Sequence, residues 1–357
     1  MNPAVFLHGI FPAITTPFYP DGRVYYRKLE HNVDRYSRTP VAGIVVLGST
    51  GEAVMLSDEE RREVLREAQT ASAPEKVLVA GTGAESVIET LNLTEHAARL
   101  GYDAALVRTP HYYRPQMKPS NLLTFYRTVA DRSPLPVLLY TVPVFTAYDL
   151  PIKVVSELSE HPNIIGIKES GGSLEKIIRL AAETQGFQRT ATVTEVFAAV
   201  TGRMLTQGEG PAANGSALVP TSALVGPGGS PVTVKAKTLK KRSKEVGFQV
   251  LAGTAQQLLP ALEAGAVGAV LAFAACAPTA CFEIYTAWKE RDAELAREKQ
   301  QRIVEAARTV VGEFGVPGVK YALDLNGYYG GHPRMPLLPL TADQKAEVER
   351  QMRNIRN

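Results

Sequence analysis

Short apolar segments recur along this chain at nearly constant intervals, and each interval contains one stretch with helical periodicity. The first six segments are 34, 33, 28, 33 and 27 residues apart, by subtraction of their first residue numbers. Units of about 30 residues that alternate strand and helix predict parallel strands joined by helical crossovers. The candidate strands begin at Gly9, Gly43, Lys76, Ala104, Val137, Ile164, Phe248 and Val267. Eight such strands predict an α/β fold, a closed (β/α)8 TIM barrel, rather than an open sheet.

Amphipathic patterns predict the helices that join these strands and a helical C-terminal part. Within the barrel they cover Tyr26–Tyr36, Ser57–Thr70, Glu85–Leu100, Ser120–Asp131, Ile152–His161, Leu174–Thr184 and Ala255–Ala264. Beyond the eighth strand they cover Thr279–Trp288, Asp292–Phe314, Val319–Leu325 and Ala342–Ile355. We therefore expect a barrel over residues 1–278 and a C-terminal helical extension over residues 279–357.

The regular spacing breaks once, because Phe248 begins 84 residues after Ile164. A unit of about 30 residues leaves some 50–60 extra, which predicts a long insertion at about residues 187–246, between helix six and strand seven. It opens with a possible short helix (Val193–Thr201) and continues into a Gly/Pro/Ser-rich tract, Gln207–Pro231. We expect a flexible surface segment away from the chemistry. The basic run at residues 235–244 is typical of a solvated face, and an acidic partner is the alternative.

Bulk composition excludes several classes of function. Hydrophobic residues make up 45% and charged residues 21% of the chain, as in ordinary globular proteins. The net charge of +3 is too small to indicate nucleic acid or membrane binding. Two cysteines, Cys276 and Cys281, are too few for a disulfide framework. No apolar run approaches the roughly 18 residues of a membrane span, and no signal or transit peptide is recognisable. These features predict a cytoplasmic protein.

The sixth candidate strand, which begins at Ile164, ends in a lysine. Its β-branched residues are typical of a strand buried on both faces, and Lys168 follows at its carboxyl end. Apolar surroundings disfavour a charged ammonium, so a nucleophilic neutral amine becomes available, and such amines form Schiff bases with ketones. The alternative is a lysine that extends to solvent or pairs with a carboxylate.

Other strands of the predicted barrel also end in polar groups, at the end where TIM barrels carry their active sites. Strand two continues into Gly48-Ser49-Thr50-Gly51-Glu52, whose glycines, hydroxyls and exposed N–H groups suit a small carboxylate. An ordinary capped turn is the alternative. Strand five ends at Tyr140, which can relay protons or can be an aromatic at the rim.

Four motifs at strand ends resemble the dihydrodipicolinate synthase/N-acetylneuraminate lyase family of Schiff-base aldolases. They are GSTGE at 48–52, TP-x-YY at 109–113, LYTVP at 139–143 and GIKES at 166–170. The similarity covers about residues 1–186 and 247–340, which leaves out the insertion. The resemblance implies a TIM barrel and a pyruvate-dependent class I aldolase.

The resemblance also implies a role for individual residues. Lys168 forms the Schiff base with a 2-oxo acid such as pyruvate, and Tyr140 passes protons to and from the substrate. Thr50 and Tyr112 support the tyrosine relay, with Tyr112 reaching into the site of a neighbouring subunit. The family is similarly expected to form homotetramers, as dimers of dimers. The backbone of Ser49 and Thr50 holds the carboxylate of the 2-oxo acid.

Within the family, three segments are most similar to 4-hydroxy-2-oxoglutarate aldolases: KESGG at 168–172, FQVLAGTA at 248–255 and GVPGVKYALDLNGYYGG at 315–331. In that branch a serine two residues beyond the lysine helps to hold the substrate, and Ser170 matches it. Gly253 corresponds to a glycine over the imine. The synthase branch has an arginine, which binds the carboxylate of its aldehyde, where this chain has Phe145.

The predicted reaction is cleavage of a 4-hydroxy-2-oxo acid to pyruvate and an aldehyde, with 4-hydroxy-2-oxoglutarate giving pyruvate and glyoxylate. Alternatives on the same scaffold are 4-hydroxy-tetrahydrodipicolinate synthase and a 2-keto-3-deoxy sugar acid or N-acetylneuraminate lyase. A catalytically silent 2-oxo acid binding protein is the non-enzymatic alternative. We expect no metal and no cofactor, since the six histidines lack ligand spacing and Gly81-Thr82-Gly83-Ala84 lacks the third glycine of a dinucleotide loop.

Overall fold

Eight parallel strands form a barrel in the computed structural model, which describes residues 4–194 and 241–355. The strands are β2 (Gly9–Pro12), β3 (Gly43–Val46), β4 (Val77–Gly81), β5 (Ala104–Arg108), β6 (Val137–Thr141), β7 (Ile164–Glu169), β10 (Gln249–Ala252) and β11 (Gly268–Leu271). Their order around the sheet is β2–β11–β10–β7–β6–β5–β4–β3, and a parallel bridge between Ala13 and Val45 joins the two end strands. The predicted TIM barrel is confirmed.

Helices between the strands form the outer layer, close to the predicted bounds. They are α1 (Tyr26–Ser37), α2 (Asp58–Ala71), α3 (Val87–Leu100), α4 (Pro119–Arg132), α5 (Pro143–Thr146), α6 (Ile152–Ser159), α7 (Leu174–Glu183) and α8 (Leu258–Glu263). The start of α2 shows why such bounds are readable. Ser57 accepts a hydrogen bond from the Glu60 amide at 3.2 Å, and the Glu60 carboxylate accepts one from the Ser57 amide at 2.9 Å.

The C-terminal helices pack back onto the barrel. They are α9 (Phe273–Cys276), α10 (Pro278–Lys289), α11 (Ala293–Ala307), α12 (Gly315–Leu325) and α13 (Ala342–Met352). The helix predicted over Asp292–Phe314 ends as regular α-helix at Ala307, and its last residues form a π-helical turn. Asn326, just after α12, donates to the carbonyl of Cys276 at 2.7 Å. Among the described helices, none is long and apolar enough to cross a bilayer.

The insertion begins and ends in strands that the sequence did not indicate. β8 (Arg189–Thr194) pairs antiparallel with β9 (Lys241–Val246) and parallel with the short β1 (Ala4–Val5). The helix predicted over Val193–Thr201 is therefore wrong for its first two residues, which pair in β8, and the basic run ends in β9. The rest of that helix, the tract Gln207–Pro231 and residues 235–240 of the basic run lie outside the described residues.

The small sheet lies at the amino ends of the barrel strands. Its strands β1 and β9 end just before β2 and β10 begin. The Gln249 side chain joins this region to the barrel, since it accepts from the Leu7 amide at 2.7 Å and donates to the Val5 carbonyl at 2.8 Å. The described ends of the insertion are therefore at the face opposite the carboxyl ends of the strands.

Candidate active site

Lys168 and Tyr140 are neighbours at the carboxyl ends of β7 and β6. The two residues are paired in the register of these parallel strands, and Tyr140 belongs to the cluster of side chains that fills the barrel interior. The Lys168 Nζ atom lies 4.2 Å from the centroid of the Tyr140 ring. Lys168 is only 4% exposed. The amine therefore lies in the mouth of the barrel against an aromatic face, not in bulk water.

The hydroxyl next to Tyr140 belongs to Ser49. Ser49 Oγ lies 3.2 Å from the Tyr140 hydroxyl, in a tight turn after β3 where Leu47 and Glu52 have positive φ. The resemblance assigned the relay role to Thr50, whereas the hydroxyl beside Tyr140 in this structure is that of Ser49, one residue earlier. Thr50 is buried in the same turn. Adjacent residues of a turn direct their side chains differently.

A buried ion pair fixes the turn that carries Ser49. Glu52 Oε1 lies 2.5 Å from Lys320 Nζ on α12, and both side chains are at most 1% exposed. Glu52 Oε2 accepts from the Arg334 amide at 2.7 Å. Lys320 also donates to the carbonyls of Thr16 and His332 at 2.9 and 2.8 Å. Desolvation lowers the pKa of Lys320 to about 8, although Glu52 opposes the shift. The sequence did not predict the Glu52–Lys320 ion pair, because the two residues are far apart along the chain and no local motif links them.

Ser170 and Gly253 meet beside the end of β7. A side chain at residue 253 would place its Cβ 2.0 Å from Ser170 Oγ and 2.6 Å from the Glu169 carbonyl. Only glycine fits there, because that carbonyl is backbone and cannot move aside. The Ser170 amide donates to the carbonyl of Thr141 at 3.0 Å. Ser170 is thus two residues beyond Lys168, and Gly253 packs against the segment that follows Lys168.

Glu169 holds the turn that follows Lys168, a role that the sequence analysis missed. Its buried carboxylate accepts from the amides of Gly171 and Gly172 at 2.8 and 3.2 Å. Lys176 Nζ lies 3.7 Å away and also contacts Asp149. Burial raises the pKa of Glu169, and the positive charge of Lys176 opposes that shift. The two glycines after a carboxylate are the only local hint of such a turn.

Tyr112 points outward in this chain. It is 76% exposed, and its ring contacts that of Tyr113 edge to face. The loop is held by its backbone, since Glu85 Oε2 accepts from the amides of His111 and Tyr112 at 2.9 Å each. Although partial burial alone would raise the pKa of Glu85, these amides and the Arg108 guanidinium lower it below its usual value.

A cavity of about 250 Å³ opens beside Tyr140. Its walls include Gly48, Ser49, Tyr140, Glu85 and Arg108, whereas Lys168 is not among them. Tyr140 connects the cavity with the amine, because its ring faces Lys168 and its hydroxyl reaches Ser49. Within residues 4–194 and 241–355, no group of three or more His, Cys, Asp or Glu side chains could hold a metal ion.

Fold and site together define a class of enzyme. At one mouth of this TIM barrel, a buried lysine amine lies against the ring of a tyrosine, and a serine hydroxyl lies beside the hydroxyl of that tyrosine. These are the parts of a Schiff-base aldolase. The amine can form an imine, and the phenol with its hydroxyl partner can move protons.

Comparisons with known proteins agree with this class. The sequence model of the dihydrodipicolinate synthetase family matches residues 6–189 and 229–355. A 4-hydroxy-tetrahydrodipicolinate synthase of Methanothrix thermoacetophila is 32% identical over 340 residues, covering 95% of this chain and 94% of the relative. One from Methanococcoides burtonii is 28% identical over 336 residues, covering 94% of each protein.

Solved structures show the same fold. A chloride-inhibited dihydrodipicolinate synthase from Acinetobacter baumannii, complexed with pyruvate, superposes with a TM-score of 0.76 at 26% identity. That match covers 98% of this chain and 99% of the other. The chain belongs to the dihydrodipicolinate synthetase family, and it is an enzyme of the pyruvate-dependent class I aldolase type. These relatives carry the synthase name, which the sequence analysis gave as an alternative, and not that of 4-hydroxy-2-oxoglutarate aldolase.

Proposed function

We propose that this enzyme cleaves a 4-hydroxy-2-oxo acid, with 4-hydroxy-2-oxoglutarate as the first candidate, to pyruvate and glyoxylate. The observation that carries the proposal is the environment of Lys168. Its amine is buried against the Tyr140 ring, and it has no hydrogen bond or ion pair to any described oxygen. A primary amine without a carboxylate partner is available to attack a ketone.

The proposed reaction begins when the Lys168 amine adds to the C2 carbonyl. The hydroxyl of this adduct leaves as water with the proton of the Tyr140 phenol, which forms a protonated imine and leaves Tyr140 as the phenolate. The phenolate takes the proton of the C4 hydroxyl, the C3–C4 bond breaks, and its electron pair passes into the protonated imine to give a neutral enamine. C4 leaves as the aldehyde. C3 then takes a proton from Tyr140, and hydrolysis of the imine releases pyruvate. Ser49 passes protons between Tyr140 and solvent in this scheme.

The remaining site residues bind substrate. The backbone of Ser49 and Thr50 holds the carboxylate next to C2, and Ser170 donates to the bound acid. By the resemblance, Gly253 lies over the imine. It also lets the segment that carries Lys168 pack closely, because a side chain at residue 253 would clash with Ser170 Oγ and the Glu169 carbonyl.

Phe145 favours cleavage of a 4-hydroxy-2-oxo acid over the synthase reaction. It is 65% exposed in the short helix α5 after β6, and by the resemblance its apolar ring occupies the position where the synthases have an arginine for their aldehyde. The second candidate, 4-hydroxy-tetrahydrodipicolinate synthase, is favoured by the names of the relatives and by their 28–32% identity.

A substrate panel separates the two candidates. We expect pyruvate release from 4-hydroxy-2-oxoglutarate and little or no formation of 4-hydroxy-tetrahydrodipicolinate. Tyr140→Phe should lower kcat about 10²- to 10⁴-fold, the usual contribution of a general acid–base group, with a smaller change in KM. Efficient synthase activity, or a 2-keto-3-deoxy sugar acid as the best substrate, would contradict the proposal. A protein that binds pyruvate but turns over none of these acids would be a silent binder.

The proposal extends to the assembly of the enzyme and to its location in the cell. The exposed Tyr112 makes sense as a group that completes the site of a neighbouring subunit, within a homotetramer built as a dimer of dimers. We propose a cytoplasmic enzyme that works without a cofactor. Light scattering of the purified chain tests the assembly, and a monomer with full activity would exclude a role for Tyr112 across subunits.

A further inference from the structure

Arg108 lies in the same layer of the barrel as the proposed catalytic pair. In the strand register Arg108 of β5 is paired with Tyr140 of β6, which is in turn paired with Lys168 of β7. Paired residues of neighbouring parallel strands direct their side chains to the same face of the sheet. That face is the barrel interior, because Leu106 and Leu138, each two residues earlier, pack there. Arg108 and Lys168 are thus two strand spacings apart, each about 4.8 Å.

The guanidinium is held in place at the cavity wall. Its Nη1 atom donates to Glu85 Oε1 at 2.7 Å and lies 2.8 Å from Nδ1 of His111. Gly83, just after the neighbouring strand β4, makes room for the arginine, since a Cβ at that position would lie 2.4 Å from the Arg108 amide and 3.0 Å from its Cγ. The Arg108 side chain is 18% exposed and lines the cavity with Ser49.

Half of the guanidinium remains available. Its Nε and Nη2 groups make no hydrogen bond within the described part of the chain, although an arginine has five N–H donors in a planar fork. Such a fork fits a carboxylate through two parallel hydrogen bonds. Glu85 already uses Nη1, so it orients the fork and does not saturate it.

We propose that Arg108 binds a second carboxylate of the substrate, on the side of the aldehyde product, and thereby selects dicarboxylic 4-hydroxy-2-oxo acids. This inference rests on the proposed function. In 4-hydroxy-2-oxoglutarate, C2 bonds to Lys168 while the far carboxylate is attached to C4. That carboxylate must lie on the other side of Tyr140 from the amine, which is the side of Arg108 in the strand order β5–β6–β7. Arg108 is a specificity-determining residue in this arrangement and takes no part in bond cleavage.

Two substrates that differ only at the far group test the assignment. One is 4-hydroxy-2-oxoglutarate, and the other is 4-hydroxy-2-oxopentanoate, in which a methyl group replaces the far carboxylate. For Arg108→Met we expect kcat/KM on the dicarboxylate to fall about 10- to 100-fold, as for loss of a hydrogen bond to a charged group, mainly through KM. Cleavage of the pentanoate should not change. Arg108→Lys should lose less than Arg108→Met, because it keeps the charge.

Controls distinguish a binding role from a structural one. Arg127 on the outer helix α4 is also paired with a glutamate, Glu157, at 2.6 Å. Arg127→Met should leave the cleavage of both substrates unchanged. Borohydride trapping of pyruvate on Lys168 should persist in Arg108→Met, which shows that the site is intact. Equal losses on both substrates, or no loss on either, would overturn the assignment of Arg108 and leave the proposed function standing. A selective loss in Arg61→Met instead, at the other arginine of the cavity, would do the same. Wild-type enzyme that cleaves neither acid would contradict the proposed function, and this inference with it.

Discussion

Lys168 and Lys320 are both buried lysines whose amines lie over an aromatic ring, at 4.2 Å from the Tyr140 centroid and 4.3 Å from the Phe18 centroid, and they differ in their oxygen partners. Lys320 is 1% exposed and has three oxygen partners, the Glu52 carboxylate and two backbone carbonyls. Lys168 is 4% exposed and faces the ring of Tyr140. Among the described residues, no oxygen accepts from its amine. A buried ammonium needs such partners, so the two sites serve different purposes.

Two further buried lysines extend the comparison. Lys76 donates to the carbonyls of Thr39 and Val41 at 2.7 and 2.9 Å, and Lys176 pairs with Asp149. Of the four buried lysines in the described part of the chain, Lys168 alone lacks an oxygen partner. Burial by itself therefore does not mark a reactive lysine. We propose that the missing oxygen partner does, because it leaves the amine open to a substrate.

The largest difference should appear on replacing the two lysines by methionine. Lys168→Met should abolish pyruvate release from any 4-hydroxy-2-oxo acid, since no imine can form. Its free energy of unfolding should fall by less than about 1 kcal/mol, because the substitution removes a buried polar group that has no partner. Steady-state kinetics and urea unfolding measure the two effects. Residual turnover above a few per cent would contradict the role of Lys168, and strong destabilisation would make it a structural residue.

Lys320→Met should show the opposite pattern. Removal of one partner leaves the Glu52 carboxylate buried without its cation, at a cost of about 3–5 kcal/mol in the free energy of unfolding. The double substitution Glu52→Leu with Lys320→Met should recover part of the loss, since no charge remains unpaired. Urea unfolding of both variants gives the answer. A neutral single substitution would show that the ion pair does not hold the turn of Ser49.

A pH series sharpens the same contrast. The folded-state pKa of Lys320 is about 8 and lies below its unfolded value of 10.5. Between these values the unfolded chain binds more protons at this residue than the native protein, so its contribution to stability rises with pH. The gain is on the order of 3 kcal/mol at most by pH 10.5. The free energy of unfolding of the wild type should therefore increase from pH 8 to pH 10 relative to that of Lys320→Met, as measured by urea unfolding at both pH values. A constant difference would contradict the assigned shift.

The smallest expected effect compares two adjacent residues of the turn. Ser49→Ala removes the hydroxyl 3.2 Å from Tyr140 and should lower kcat about tenfold, the equivalent of one hydrogen bond. Thr50→Val keeps the shape of the side chain and should change kcat less, because its hydroxyl does not contact Tyr140. Equal effects, or a larger effect at Thr50, would support the relay role that the resemblance gave to Thr50.

The sequence predicted those parts of the molecule that local pattern determines. Strands and helices alternate with a nearly constant spacing, and the Ser57 cap of α2 can be recognised from residues close to it in sequence. Lys168 and Tyr140 could be named as candidates because each lies at the end of a buried strand. The strands β8 and β9 were missed, since β9 is a charged strand whose pairing depends on a distant partner. The proposed role of Arg108 and the contacts of the Glu52–Lys320 pair could not be predicted either. They depend on strand register and on contacts between distant segments.

Reductive trapping of pyruvate tests the central claim most directly. Wild-type protein treated with pyruvate and borohydride, then digested and analysed by mass spectrometry, should carry one pyruvyl adduct, on the peptide that contains Lys168. Lys76, Lys176 and Lys320 should remain unmodified, and Lys168→Met should carry no adduct. An adduct on another buried lysine, or none on the wild-type protein, would contradict the account.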